Sequence, residues 1–553
     1  MMAAARGTSL QAGLLVALLC AAAPAGASPE ARSEARARMM NIDQHLEAWD
    51  VAAARAELDA LSALAPEGTE PIHYYAGRVL LEEGRYAEAV TALEKAGVAD
   101  KPGSWLRIAQ DTLAVTKDHV RSESEHFIVS HPPGKDAVLV PWALEALERA
   151  RAALEQDLGY APPGKVRIEF VNTARELSKV STLSWESIKT TGTIAICKFN
   201  KLMVTSPKAT LNGYDWLDTV SHEYVHLVVS KASHNTVPIW LHEGLAKYLE
   251  SRWRGAPGLA MTPPTLGLLG RRVKQDKLIP FEKMHPSIAL LPSAEDAATA
   301  FAEVYFAIDL IFRENGQKGL RTLLEGMKAG MGDKKAVEQA TGKAFPAFEK
   351  AWLAHVRKQP FPKELIPLED KVVLKEAAGQ KAVKDKHGPE VNFGDFANME
   401  EPEARRNAHL GELLQERGRA RAAAEAWGRA HKLVGAKYER LSNRYARALA
   451  ATGHEDEAER VLNASLRTHP GVAATLVQLG RIRLKRHDWG GAREAYLEAL
   501  AQDPFDPEIH FALARSAREL DDDRLSRRAF DAAVLLTGME PAKVDAFLKQ
   551  PIP

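Results

Sequence analysis

The sequence predicts a multidomain α+β protein whose central region of strands and helices lies between two all-helical segments. The chain has 553 residues, which is too long for a single hydrophobic core. Small, large and helix-breaking residues recur at a spacing of 34 or 35 residues towards the C-terminus, and the same pattern returns near the N-terminus. Between the two repeat regions, strand-like stretches come first and helical patterns follow, which is typical of an α+β domain.

The charge balance excludes one class of partner. The chain has 73 Lys and Arg residues and 73 Asp and Glu residues, so its formal net charge is zero. Because no excess positive charge exists to attract phosphates, we do not expect nucleic acid as a partner.

Residues 1–27 are predicted to be a signal peptide. Arg6 precedes the apolar run AGLLVALLCAAA, which is too short to span a bilayer, and Ala25 to Ala27 form an A-x-A cleavage site. Export to the periplasm or secretion is the expectation, with no transmembrane segment in the mature chain. Lipid attachment at Cys20 is the less favoured alternative, because Leu19 stands where lipoprotein signals have a small residue. Cleavage would leave Cys197 as the only cysteine, which excludes an intramolecular disulfide.

Two segments, 28–118 and 401–540, are predicted to be helical repeats. In the C-terminal segment, small residues are followed sixteen positions later by large ones. The four pairs are Gly411 and Trp427, Ala446 and Leu462, Gly480 and Tyr496, and Ala514 and Phe530. Gly77 and Leu93 repeat this spacing in the N-terminal segment. Small residues let paired helices approach closely and large ones fill the space between them. The pattern resembles the tetratricopeptide repeat, which implies a concave surface that binds peptides or partner proteins.

Residues 119–365 are predicted to be the α+β domain. EHFIVSH and KVRIEFV read as strands, WALEALERARAALEQDLG as a helix that ends at glycine, and GTIAICKFNKLMVTSP as a strand or hairpin. The pattern is helical from Trp216 onward. Residues 366–400, which are lysine-rich and dotted with glycine, are predicted to be a linker.

The most informative short stretch is HEYVH, residues 222–226, within a helix whose circumference is almost entirely apolar. His222 and His226 are four residues apart, so their Cβ atoms lie about 5–6 Å apart on one helix face. This spacing suits two imidazole nitrogens that bind one Zn²⁺ ion. Glu223 points to the rim of the same polar stripe, from which it can reach a water molecule but not the ion.

A catalytic zinc ion needs a third protein ligand. Glu243, near the start of the predicted helix in PIWLHEGLAKYLE, is the preferred candidate, and Gly244 beside it permits close helix approach. His242 and Glu250 remain alternatives on the same helix. Asp218, one turn before His222, is a candidate to orient a ligand imidazole, although an acid that stabilises the helix N-terminus explains it equally well.

HEYVH followed by WLHEGLAKYLE resembles the gluzincin class of zinc metallopeptidases, and more narrowly the bacterial peptidase-MA-like domains with a W-L-x-E-G-x-A motif. The resemblance implies a thermolysin-like fold, one Zn²⁺ ion held by His222, His226 and Glu243, and Glu223 as the catalytic base. One departure is the spacing, because sixteen residues lie between His226 and Glu243, fewer than in thermolysin-like enzymes.

The same resemblance implies how a substrate would bind. In gluzincins, an edge strand near the zinc ion pairs with an extended peptide, and KLMVTSP occupies the corresponding place in this sequence. No G-x-M-E-N stretch precedes HEYVH, which favours an endopeptidase over an aminopeptidase. Tyr305, in FAEVYFAIDLIF, is a candidate donor to the oxyanion of the transition state. The alternative for Tyr305 is an aromatic side chain packed on an apolar helix face.

Two functions from different classes therefore remain. The first is an exported zinc metallopeptidase, an enzyme that hydrolyses peptide bonds with Glu223 as general base and uses its repeats to bind substrate or partner proteins. The second is a repeat-based scaffold protein of the cell envelope with a degenerate, inactive peptidase domain. The intact set of His222, Glu223, His226 and Glu243 favours the first, because an inactive domain has no reason to keep the base.

Overall fold

The computed structural model describes most of the chain between residues 29 and 549. The described residues are 29–64, 69–259, 261–362, 372, 374–376 and 396–549. They contain many helices and a five-stranded sheet, which confirms the predicted α+β class. The predicted signal peptide, and most of the predicted linker, lie outside the described residues. Within the described part of the chain, no helix combines the length and the apolar character that a bilayer crossing requires.

The chain divides into two compact units. One comprises the described residues of Met1–Ser206, Leu217–Leu259 and Arg272–Gln359, and the other comprises those of Pro207–Trp216, Ala260–Arg271 and Pro360–Pro553. The N-terminal helical segment and the sheet therefore belong to the same unit. The domain boundaries given above, which rest on sequence patterns, stay predictions.

Within the described residues, the first unit begins with five helices. These are α1 (Pro29–Glu47), α2 (Val51–Leu64), α3 (Glu70–Glu83), α4 (Tyr86–Lys95) and α5 (Trp105–Thr116). In α3, a Cβ atom built on Gly77 would lie only 2.4 Å from Cγ of Leu93 in α4. The small residue thus faces its predicted large partner, and this contact sets how closely the two helices pack.

The sheet follows, with strands β1 (Val120–Glu123), β2 (Phe127–His131), β3 (Val166–Val171), β4 (Ala195–Lys198) and β5 (Lys201–Thr205). The strand order is β1-β2-β3-β5-β4. β2, β3 and β5 run parallel, and β1 and β4 pair antiparallel at the two edges. Phe199 and Asn200 have φ of 54° and 53°, the left-handed conformation of a tight two-residue hairpin turn, so the predicted hairpin is confirmed.

The predicted edge strand is wrong. KLMVTSP contains β5, which lies between β3 and β4 rather than at an edge. The hairpin folds β4 over the outer side of β5, and β4 becomes the edge strand. Cys197 in β4 is 1 % exposed and free, as a small core residue would be, and burial raises the pKa of its thiol well above the usual value.

A buried polar network joins the N-terminal helices to the sheet. Nζ of Lys201 in β5 donates to Oε2 of Glu169 in β3 at 2.6 Å and to the hydroxyl of Tyr86 in α4 at 3.0 Å. Arg167 donates to the same hydroxyl at 3.0 Å. Lys201 is fully buried and Glu169 nearly so. Because removal of one partner from a buried ion pair leaves an uncompensated charge, this network fixes α4 against the sheet.

Nine further helices of the described chain precede the C-terminal segment, three of them between strands of the sheet and six after β5. They are α6 (Val140–Leu158), α7 (Ala174–Val180), α8 (Trp185–Thr191), α9 (Trp216–Ser233), α10 (Ile239–Leu249), α11 (Pro263–Lys274), α12 (Ala294–Lys328), α13 (Asp333–Thr341) and α14 (Phe345–Arg357). α6 ends at Gly159 with φ of 72°, the predicted glycine stop. Gly316, with φ of 58°, interrupts α12.

The C-terminal segment consists of paired helices. They are α15 (Pro402–Glu416), α16 (Ala420–Val434), α17 (Glu439–Ala451), α18 (Glu455–Thr468), α19 (Ala473–Lys485), α20 (Trp489–Gln502), α21 (Pro507–Glu519), α22 (Asp523–Thr537) and the short α23 (Pro541–Leu548). Cβ atoms built on Gly411 and Gly480 would lie 2.4 Å from Trp427 and 2.5 Å from Tyr496. The predicted small-to-large pairs therefore make the contacts within these repeats.

We predict that Gly480→Ala destabilises the C-terminal repeats, because the added methyl group collides with the ring of Tyr496. Overpacking of this kind costs about 1–3 kcal/mol. Gly490→Ala is a matched control in the next helix, where an added Cβ meets nothing within 4 Å. Thermal unfolding followed by circular dichroism should show a lower midpoint for Gly480→Ala only. Equal effects of the two substitutions would contradict the proposed close contact.

Glu303 in α12 predicts a pH dependence of stability. Its side chain is fully buried, Oε1 accepts the N–H of Ile279 at 2.9 Å, and Oε2 has no hydrogen-bond partner among the described residues. Burial raises the pKa of Glu303 from 4.5 to about 8. The native state therefore keeps a proton that the unfolded state releases near pH 4.5, so this group's contribution to stability falls as the pH rises from about 4.5 to about 8.

We expect Glu303→Gln, which carries no charge at any pH, to be more stable than the wild type at pH 8 by on the order of 4 kcal/mol, since one pKa unit corresponds to about 1.4 kcal/mol. The two proteins should be equally stable near pH 4.5. Glu325→Gln, an exposed position of the same helix, serves as the control. Denaturant unfolding at both pH values measures the difference, and a Glu303→Gln advantage that did not depend on pH would refute the explanation.

Candidate metal centre

Helix α9 holds both histidines of HEYVH in a nearly buried setting. Leu227, Val228 and Val229 on this helix are at most 1 % exposed. His226 is equally buried and Glu223 is 4 % exposed, whereas the side chain of His222 keeps 17 % of its surface accessible. The predicted buried helix with one polar stripe is confirmed, and the stripe is accessible at His222.

Helix α10 brings the carboxylate of Glu243 to this stripe. A Cβ built on Gly244 would lie 2.8 Å from the carbonyl oxygen of Val304 and 2.9 Å from Cγ1 of Ile308, both in α12. Only a residue without a side chain fits there, so Gly244 allows α10 to pack against α12 at this depth. The neighbouring Glu243 is held as a buried side chain, 5 % exposed.

The three predicted ligands converge on one point. Oε2 of Glu243 lies 3.5 Å from Nε2 of His222 and 3.6 Å from Nε2 of His226. Ligand atoms of all three residues lie within 4.8 Å of one another, and the imidazole rings stand at 90° with centroids 4.7 Å apart. Atoms bound tetrahedrally at about 2.1 Å from one ion are about 3.4 Å from each other. The observed spacing is close to that value.

The protein itself leaves two polar atoms in this place unsatisfied. Nε2 of His226 and Oε2 of Glu223 are buried and have no hydrogen-bond partner among the described residues. An unpaired buried polar atom costs about 1–3 kcal/mol. Two of them beside a buried carboxylate fit a site that is completed by a cation and a water molecule.

The protonation states of Glu243 and His226 suit a cation, whereas His222 holds a proton. Burial alone would raise the pKa of Glu243, but the adjacent His226 and His222 hold it well below its usual range. Burial lowers the pKa of His226, which keeps this imidazole neutral. Burial would also lower the pKa of His222, but its hydrogen bonds to Glu243 and Glu250 outweigh that effect and raise it to about 9. A cation at His222 must therefore displace a proton.

Nδ1 of each histidine, the nitrogen that faces away from Glu243, also contacts a second side chain. Nδ1 of His222 lies 3.0 Å from Oε2 of Glu250, whose other oxygen accepts from Lys247 at 2.5 Å. Nδ1 of His226 lies 2.5 Å from Nδ1 of His242, and Nε2 of His242 lies 3.1 Å from the hydroxyl of Ser230. Contacts of this kind fix the ring orientation and the tautomer of metal-binding histidines.

His242 and Glu250, the two alternatives for the third ligand, thus lie behind the histidines rather than between them. Their supporting role was not predicted from the sequence. Only His242 adjoins Glu243 in α10, whereas Glu250 follows the last residue of that helix. The orienting contact considered for Asp218 is made by Glu250 instead. The carboxylate of Asp218 accepts from Nε1 of Trp253 at 2.8 Å and from Arg254.

Tyr305 is engaged elsewhere in this structure. It is buried in α12, and its hydroxyl donates to the carbonyl oxygen of Leu259 at 2.7 Å. Its ring packs against those of Tyr248 and Phe306, and burial raises the pKa of its hydroxyl. These are the contacts of a packed aromatic side chain. Its role as an oxyanion donor stays a prediction.

Comparisons with known proteins identify two families in the chain. The family described as the Peptidase MA superfamily matches residues 146–358, a range that contains every residue of the metal centre. The tetratricopeptide repeat family matches residues 40–104 and 477–541. No protein with a curated description is significantly similar to the chain.

Several solved structures show weak likeness. Native leukotriene A4 hydrolase from Saccharomyces cerevisiae is 14% identical over 78% of this chain and 67% of its own, with a TM-score of 0.30. The yeast enzyme in complex with bestatin is 13% identical over 75% of this chain and 67% of its own, also with a TM-score of 0.30. The Cut9–Hcn1 hetero-tetramer is 12% identical over 91% of this chain and 79% of its own, with a TM-score of 0.24.

The two candidates for orienting His222 can be separated by mutation. We predict that Glu250→Gln weakens the binding of added Zn²⁺ by about 10–100-fold, because loss of the charge lowers the basicity of His222. Asp218→Asn should leave the affinity unchanged, since its carboxylate serves Trp253 and Arg254. Competition against a coloured chelator measures both affinities. An unchanged affinity in Glu250→Gln, or an equal loss in Asp218→Asn, would contradict the assignment.

Proposed function

We propose that this chain, which carries a peptidase MA superfamily domain flanked by tetratricopeptide repeats, is a zinc-dependent peptidase of the gluzincin class. The observation that supports this best is the meeting of His222, His226 and Glu243 at the spacing of tetrahedral ligands. Two neutral-imidazole nitrogens and one carboxylate oxygen are the donors of a catalytic zinc site that keeps a position open for water.

When bound, a zinc ion would supply Lewis acidity, which acidifies a water molecule and polarises a carbonyl group. The residues of this chain supply the rest. His222 and His226 bind through Nε2, and their orientation is maintained by Glu250 and His242. Glu243, ionised and buried, contributes the negative charge that offsets part of the charge of a divalent ion.

Glu223 is proposed as the general base. It follows His222 directly in α9, and its Oε2 atom is buried and has no partner among the described residues. This oxygen is free to accept a proton from the attacking water and to return it to the departing amine. Because the surroundings are apolar, a proton transfer there meets little competition from bulk water.

A peptide bond in an extended chain is the proposed substrate. In this fold, β4 is one of the two edge strands, and the backbone of such a strand can pair with an extended peptide through main-chain hydrogen bonds, whatever the side chains. Burial, and to a lesser extent the charge of Glu223, raise the pKa of the Cys197 thiol in β4. Since no G-x-M-E-N stretch is present, we propose an endopeptidase.

Export and partner binding complete the proposal. The predicted signal peptide would direct the chain out of the cytoplasm, and zinc chemistry needs no reducing compartment. The repeats would bind substrate or partner proteins on their concave surface, because stacked helix pairs present such a surface.

The decisive comparison is wild type against Glu223→Gln, with both proteins purified and loaded with zinc. We expect about one zinc ion per chain in each, because Glu223 is not a ligand. Hydrolysis of casein should fall by about 10²–10⁴-fold in Glu223→Gln, which is the usual contribution of a general base.

His226→Ala is the complementary variant, in which both zinc and activity should be lost. Zinc bound by a wild type that hydrolyses nothing would support the scaffold function instead. Full activity in Glu223→Gln would exclude this residue as the base.

A further inference from the structure

A row of arginines crosses the C-terminal repeats. The first helices of three successive repeats, α17, α19 and α21, each have 13 residues. The ninth residue of these helices is Arg447, Arg481 and Arg515, respectively. We call these three residues the arginine row. α15 is longer, with 15 residues, so the equivalent position is found from the repeat pattern instead. Glu412 follows the small residue Gly411 there, as Arg447 follows Ala446 in α17. The row therefore covers three of the four repeats.

The three arginines lie on neighbouring helices. α17 contacts α19, and α19 contacts α21. Because equivalent positions of stacked repeats lie on one face, the row runs across the helices, with steps of about 8–10 Å between helix axes.

The row is positively charged and only partly neutralised. Arg447 is exposed, and the side chain of Arg481 keeps 53 % of its surface accessible. Burial together with the charges of Arg444 and Arg481 lowers the pKa of Arg447, as expected where cations are close together. Arg481 donates to both oxygens of Glu508. For Arg447 and Arg515, the described part of the chain provides no hydrogen bond or ion pair.

A buried amide beside the row is also unsatisfied. Gln478, one turn before Arg481 in α19, is 6 % exposed, and neither its Oε1 nor its Nε2 has a hydrogen-bond partner among the described residues. The same holds for Nε of Arg515. Since unpaired buried polar atoms are costly, this face offers hydrogen-bonding capacity that the fold itself does not use.

We propose that the arginine row binds an extended acidic segment of a partner or substrate protein. A guanidinium group pairs with a carboxylate through two parallel hydrogen bonds. Steps of about 8–10 Å correspond to one turn of an extended polyproline II segment, which has three residues at about 3.1 Å each and places every third side chain on the same face. The row therefore matches carboxylates at every third position of the bound segment. This inference deepens the partner-binding role proposed for the repeats and does not depend on the peptidase activity.

The acidic residues around the row favour a peptide over a nucleic acid or a lipid surface. Glu508 pairs with the middle arginine, and Glu412 continues the row at its first repeat. A continuous chain of phosphates would meet these carboxylates at close range. A flexible peptide can place its separate carboxylates at the arginines and away from Glu508 and Glu412. Glu412 would repel an acidic segment and so limit it to the three repeats that carry arginine.

The test uses the full-length mature chain with Glu223→Gln, so that the probe is not cleaved. The probe is a fluorescent peptide with glutamate at every third position and serine or glycine between, and its binding is followed by anisotropy. Combined Arg447→Gln, Arg481→Gln and Arg515→Gln should weaken binding by about tenfold or more, and added salt should weaken binding to the unsubstituted row.

The matched control removes the same charge from the second helices of the same repeats. It combines Arg460→Gln, Arg493→Gln and Arg527→Gln, which lie in α18, α20 and α22, and it should bind the probe as the unsubstituted chain does. Arg447→Gln alone, at an exposed position, should also weaken binding if the triple variant fails to fold.

Three results would overturn the proposal: no saturable binding of the probe, an equal loss in the control, or equal binding of a peptide with its glutamates clustered at one end. Tighter binding of single-stranded DNA or of phosphatidylserine vesicles than of the probe would assign the row to those ligands instead. Absence of zinc-dependent hydrolysis would leave the binding result unaffected, so the two proposals fail separately.

Discussion

The site depends on the depth at which α10 packs against α12. Gly244 leaves no room for a side chain between the two helices, and this contact carries Glu243 to within 3.5 and 3.6 Å of the two imidazoles on α9. A carboxylate that is 5 % exposed would be costly without a charged or hydrogen-bonding partner. The packing therefore creates a place where a cation relieves the cost of burial, and the same cation would hold α9 and α10 together.

The side chains that contact Nδ1 of each histidine explain why both imidazoles direct Nε2 towards Glu243. Each imidazole turns Nε2 towards Glu243 and Nδ1 towards a second side chain, Glu250 for His222 and His242 for His226. Lys247 fixes Glu250 in turn. Because α10 supplies Glu243, His242, Glu250 and Lys247, this helix and the residue that follows it provide both a ligand and the supports for the ligands on α9. A movement of α10 would disturb all of these contacts at once.

Much of this could be predicted from the sequence, because the relevant patterns are local. The i and i+4 histidines, the apolar circumference of α9 and the spacing of sixteen between small and large repeat residues each follow from helix geometry. The spacing of sixteen residues alone predicted the contacts of Gly77 with Leu93 and of Gly480 with Tyr496. The candidate ligand Glu243 followed from a motif, and the structure places its carboxylate beside the two histidines.

What could not be predicted depends on distant parts of the chain or on side-chain direction. The strand order places β4 outside β5, which no local pattern indicates. The network of Tyr86, Glu169 and Lys201 joins residues 115 positions apart. Glu250 lies nearly two turns beyond Glu243, and only the direction of its side chain places it at Nδ1 of His222 rather than between the two imidazoles.

The most direct test is anomalous diffraction at the zinc absorption edge from crystals of the protein grown with Zn²⁺. The account predicts one strong peak about 2.0–2.2 Å from Nε2 of His222, Nε2 of His226 and a carboxylate oxygen of Glu243. A peak bound by other residues, or none at this position in fully loaded crystals, would contradict it.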